Sequence, residues 1–80
     1  MMYFVKYPIM QGLYGPYRES KATIYAARHQ MACRVYDRNG VMVSAAGVND
    51  EDRPFAKKVI SKKADPEIVK EIAEIMTERG

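Results

Sequence analysis

Tryptophan is absent from this 80-residue chain, which has one cysteine, one histidine and two phenylalanines. Each scarcity narrows what the protein can do. With one cysteine no intrachain disulfide can form, which points to a reducing, cytoplasmic setting. A structural zinc site needs four N, S or O ligands, and the single pair His29 and Cys33 falls short of it. A Cys–His nucleophile would further need an orienting third group and an enclosing pocket, which a chain of this size rarely supplies. No apolar run approaches the roughly 18 residues of a membrane span. The stretch Met1 to Met10 is broken by Lys6 and Pro8, and nothing reads as a signal peptide. Neither a Walker sequence nor G-x-G-x-x-G occurs, so Gly12-Leu13-Tyr14-Gly15 reads as turn chemistry. These absences predict a non-enzymatic protein with no cofactor and no metal.

What is present suits a folded domain: 48% hydrophobic and 29% charged residues. Eighty residues form one domain, 1–80, without a linker, and a core this small supplies only a few kcal/mol, so a partner would help it. The net charge of +3 is unevenly spread. Residues 1–63 carry +6 and residues 64–80 carry −3, a basic body with an acidic end. Basic character favours a polyanionic partner for the body. The acids Glu67, Glu71, Glu74 and Glu78 recur at helical spacing, so they form one row that would repel a phosphate backbone.

The chain divides readily. Met2 to Met10 alternates Tyr3, Val5, Tyr7 and Ile9 with Phe4, Lys6 and Pro8, predicting a strand that lies at an edge or ends near Pro8. Gln11 to Glu19 reads as a loop rich in apolar residues. Ser20 is the expected N-cap of an alanine-rich helix. That helix has two apolar stripes, Ile24, Ala27 and Met31 on one side and Ala22, Tyr25, Ala26, His29 and Cys33 on another. Cys33 to Asp37 and Val41 to Ala45 alternate as a β-hairpin around Asn39-Gly40, with either a type I′ turn or a type I turn and G1 bulge. Gly47 to Asp52 reads as an exposed loop. Arg53 to Ala64 fits a short helix better than an edge strand. Asp65-Pro66-Glu67 supplies a cap, a first-turn proline and an acid to a last helix, with Ile68, Ile72, Ile75 and Met76 as its apolar stripe.

The expected fold is therefore α+β: a three-stranded antiparallel sheet in the order β-α-β-β-α-α, its helices packed on one face. This strand-helix-hairpin order is similar in architecture to several small bacterial and phage domains, although no diagnostic motif is shared.

Two functions compete. The leading expectation is a protein-binding or regulatory module, with a protein partner or self-association as a dimer. Its surface would be Leu13, Tyr14, Tyr17, Arg18, Tyr25 and Arg28, because Tyr14, Tyr17 and the two-sided helix carry more apolar surface than a three-stranded sheet covers. The alternative is nucleic-acid binding through Arg34, Tyr36, Arg38, Lys57, Lys58, Lys62 and Lys63. Lysines and arginines there would contact phosphates without reading bases.

Overall fold

The computed structural model describes residues 1–47 and 63–79, and its architecture is α+β. Four strands, β1 (Tyr3–Lys6), β2 (Tyr14–Tyr17), β3 (Cys33–Asp37) and β4 (Met42–Ala46), form an antiparallel sheet in the order β2-β1-β3-β4. Among the described residues two helices accompany it, α1 (Ala22–His29) and α2 (Pro66–Arg79). The expected three-stranded sheet is thus corrected to four strands. The added strand, β2, comes from the segment expected to be a loop, and the first strand is shorter than Met2 to Met10. The expected helix over Arg53 to Ala64 lies outside the described residues except at its last two positions, which are not helical.

β2 escapes a strand pattern because it contains Gly15 and Pro16. Its register with β1 runs Tyr3 to Tyr17 and Val5 to Tyr14, so β2 carries one extra residue, a bulge. Gly15, at φ +138°, sits where a Cβ would lie 2.8 Å from the Tyr3 carbonyl oxygen and 3.2 Å from Phe4 Cδ1, so only glycine fits. The Gly15–Pro16 peptide is cis.

The second correction concerns the helices, which cover opposite faces of the sheet. β1 and β3 pair Phe4 with Tyr36, Val5 with Val35 and Lys6 with Arg34. Successive side chains of a strand point to opposite faces. One face therefore presents Val5, Cys33 and Val35, which pack with Tyr7 against Ala22, Tyr25 and Ala26 of α1. The other presents Phe4, Tyr36 and Met42, which pack against Ile68 and Ile72 of α2. Strands that are apolar at both parities need cover on both sides. Each fully buried large side chain adds about 1.5–3 kcal/mol, so neither face can be left to water.

Local chemistry sets the element ends. α1 starts at Ala22, not after Ser20, and no side chain of its own caps it. Its Ala22 N–H instead points at Ser44 Oγ on β4, 3.4 Å away. The helix ends at Gln30 in the left-handed region, φ 53°, where the Met31 N–H returns to the Ala26 carbonyl at 3.2 Å, a Schellman-type closure. Of its two stripes, Ala22, Tyr25 and Ala26 are buried, while Ile24 and Ala27 stay exposed.

The hairpin turn is type I with a G1 bulge. Gly40 N–H donates to the Asp37 carbonyl and Asp37 N–H to the Val41 carbonyl. Gly40 has φ +81° whereas Asn39 does not have positive φ, which excludes type I′. Asp37 Oδ1 accepts from the Asn39 and Val41 amides at 2.8 and 3.0 Å, locking the loop. Asp65 then caps α2 as expected, its Oδ1 accepting from Glu67 N–H at 3.0 Å. The Asp65 amide donates to the Gly40 carbonyl at 3.0 Å, so the start of α2 is joined to the turn.

Candidate docking groove at the open end of the sheet

An eight-residue helix is only about 12 Å long. α1 lies over Cys33 and Ser44, both of which hydrogen-bond to Ala22. Beyond it, at the hairpin end of the sheet, there is a groove of about 480 Å³. It is lined by Met1, Met2, Tyr3, Asp37, Arg38, Asn39 and Val43, with no α1 residue among them. Tyr3 and Asp37 face each other as the last pair of β1 and β3. Val43 is the extra residue where the β3–β4 register shifts, and that bulge leaves it 38% exposed. Met1 is almost fully exposed, and its Sδ accepts from the Tyr3 hydroxyl at 3.1 Å.

The groove opens beside the outer edge of β4, which pairs with no other strand among the described residues. The two sheet edges differ in kind. β2 is blunted by its bulge, Gly15 and Pro16, whereas Met42–Ala46 contains no proline and no charge. Proline, charge and bulging are the usual guards of a free edge, and β4 has only the last.

The residues expected to form a tyrosine-rich partner surface are largely drawn into the two cores. Leu13 is half-buried against the Phe4 core, and Tyr14 and Tyr17 are half-buried against the Val5 core. Tyr25 is buried, its hydroxyl donating to the Glu19 carbonyl and its ring 4.9 Å from that of Tyr17. Tyr14 meets Tyr7 edge-on at 5.7 Å. Arg18 and Arg28 remain exposed. The structure thus brings Tyr14, Tyr17 and Tyr25 into one cluster around Tyr7, facing inward.

The basic set is dispersed. Arg34 and Lys6 line a cleft of about 470 Å³ on the α2 side, together with Tyr36, Glu67, Glu71 and Glu74. Tyr36 is buried. Burial is the main cause raising its hydroxyl pKa, and a hydrogen bond from Arg34 counters it. Arg38 stands at the hairpin tip and Lys63 is exposed, while Lys57, Lys58 and Lys62 lie outside the described residues. The acid row of α2 therefore borders the same cleft as Arg34.

No family model matches this chain, and no curated protein or solved structure is significantly similar to it.

His29 and Cys33 do not share a helical face, because the helix ends at His29 and Cys33 opens β3. The His29 ring packs on Tyr7 at 4.8 Å. Cys33 is fully buried, its thiol donating to the Ala22 carbonyl at 3.2 Å, and burial pushes its pKa up to about 11. Such a thiol is a poor nucleophile and a poor metal ligand. Among the described residues no three His, Cys, Asp or Glu side chains gather as metal ligands. No helix there is long and apolar enough to cross a membrane.

Met1, Met2 and Val43 are the groove residues that sequence reasoning passes over. Their pattern gave one usable signal: Val43 lies in a strand lacking charge. The openness of this end depends on the length of α1 and on the β4 bulge, and neither is readable from periodicity.

Proposed function

We propose that this chain is a protein-binding module that receives an extended peptide segment of a partner in the groove and along the outer edge of β4. One conjunction supports this reading: a strand edge without charge, unpaired among the described residues, beside a groove with apolar lining. Strand addition draws affinity from main-chain hydrogen bonds and selectivity from pockets that take alternate side chains. The β4 edge offers the first and the Met1–Tyr3–Val43 groove the second. Methionine suits such a wall because its flexible, polarizable side chain adapts to varied partners. A contact of this size belongs to the weak, transient class. The reading is non-catalytic. A cytoplasmic setting belongs to it, resting on the lone cysteine.

The test is selection of peptides from a displayed random library on the full chain, followed by the Val43→Lys variant. A lysine at the bulge guards the edge and charges the groove. Selected peptides should lose about tenfold or more in affinity on that variant, a cost of about 1.4 kcal/mol. Peptides that bind Val43→Lys as well as the parent chain would refute the assignment. A single-stranded oligonucleotide bound at low salt, and bound equally by Val43→Lys, would favour the nucleic-acid alternative.

A further inference from the structure

We infer that the segment selected by this groove carries an apolar side chain and, two residues along, a carboxylate. This rests on the protein-binding reading and specifies its partner. The groove holds two ionisable side chains, Asp37 and Arg38, and they are not equally available. Asp37 Oδ1 already accepts two turn amides, at 2.8 and 3.0 Å, so part of its charge is met internally. A cationic ligand would have to compete with the hydrogen bonds that hold the hairpin. Arg38 is exposed and has no ion pair or hydrogen bond among the described residues. It is the charged group of the groove that the fold does not use, and its planar fork suits a carboxylate.

The rest of the lining sets the other requirement. Met1, Met2, Tyr3 and Val43 form an apolar wall, and Val43 stands at the edge where an added strand would run. In an extended segment, residues i and i+2 lie on one face about 6.6 Å apart. With the segment antiparallel to β4, which runs away from the turn, an apolar residue against Val43 brings residue i+2 to the same side, toward the turn that carries Arg38.

The experiment uses three capped hexapeptides of alternating threonine and valine. Each has a central leucine and, two positions on, glutamate, glutamine or lysine, and each is titrated into the full chain by amide NMR. The glutamate peptide should bind about fivefold more tightly than the glutamine peptide, with lysine weakest, as expected for one exposed ion pair. Amide shifts should fall on residues 37–39 and 42–46. Arg38→Glu should invert the order of glutamate and lysine, while Val43→Lys weakens all three. Equal binding of the three peptides, still weakened by Val43→Lys, overturns the carboxylate preference and leaves the groove in place. Binding indifferent to Val43→Lys, or no binding by any peptide, overturns both. A concentration-dependent dimer that Val43→Lys dissolves would make the occupant a second copy of this chain, and would overturn the inference as well.

Discussion

Replacing Gly40 by alanine measures how firmly the hairpin turn and α2 are joined. Gly40 is buried, has φ +81°, and would place a Cβ 2.6 Å from Val69 Cγ2 and 3.3 Å from the Val69 amide nitrogen. Two costs follow. The left-handed backbone costs an L-residue about 1–2 kcal/mol. Forcing a methyl group against a β-branched side chain with one preferred rotamer costs about 1–3 kcal/mol. The expected loss for Gly40→Ala is about 3 kcal/mol, read as a lower urea midpoint with unchanged slope. A second variant separates the two costs. Val69 is 42% exposed, so Val69→Ala alone should cost under about 1 kcal/mol. It removes the obstructing methyl, so adding Gly40→Ala to it should cost only the backbone share, about 1–2 kcal/mol. The difference is the coupling between turn and helix. Equal costs for Gly40→Ala in the two backgrounds would refute the packing argument, and a loss below about 0.5 kcal/mol would refute both parts.

Three further outcomes are expected. The Tyr7 hydroxyl is buried with no hydrogen-bond partner among the described residues, and an unmet buried hydroxyl costs about 1–3 kcal/mol. Tyr7→Phe should thus stabilise the chain by about 1 kcal/mol in urea unfolding, and destabilisation of that size would show that the hydroxyl is satisfied. Gln30 occupies a left-handed helix end that glycine fills without strain, so Gln30→Gly should raise stability by about 0.5–1 kcal/mol, whereas a lower thermal midpoint would contradict the Schellman assignment. Burial, the largest cause in each case, raises Cys33 from 9.0 to about 11 and Tyr7 from 10.0 to about 12. Both groups are neutral when protonated, and unfolding releases their protons more readily, so stability should fall from about pH 9 to pH 12. Chemical unfolding across that range should show the decline, and Tyr7→Phe should flatten its upper part; a flat profile in the parent chain would exclude it.

The elements written in local chemistry were legible in the sequence. Asp65-Pro66-Glu67 marks the start of α2, and Asn39-Gly40 marks the hairpin; cap and turn depend on neighbours in the chain. β2 was hidden because Gly15 and Pro16, half of its residues, violate strand preference and are tolerated through a bulge at an edge. The cap of α1 was hidden because the oxygen that meets Ala22 belongs to Ser44, far along the chain. The placement of α2 has a signal in the sequence: Phe4 and Tyr36 alternate with Val5 and Val35, so they fall on the opposite face, and both are large and apolar enough to demand cover. Of the candidate groove, Arg38 is legible in the sequence as a cation at the hairpin tip, whereas Met1, Met2 and Val43 acquire meaning only once the fold brings them together.

The position of β1 has a consequence for how the chain comes into being. β1, which leaves a ribosome before the other three strands, is interior to the sheet, held between β2 and β3. Synthesis runs from the N-terminus, so β1 can pair early with β2, its near neighbour. That hairpin still exposes Phe4 on one side and Val5 on the other. Neither is enclosed until Tyr36 and Val35 arrive together on β3, closing a long loop. β3 thus delivers alternate residues to both cores at once, but the clusters close in order: Val5, Cys33 and Val35 already have α1 to meet, whereas Phe4 and Tyr36 wait for Met42 and then for Ile68 and Ile72 of α2. The nascent chain should therefore gain partial protease resistance no earlier than the emergence of β3, and full resistance only once α2 has emerged.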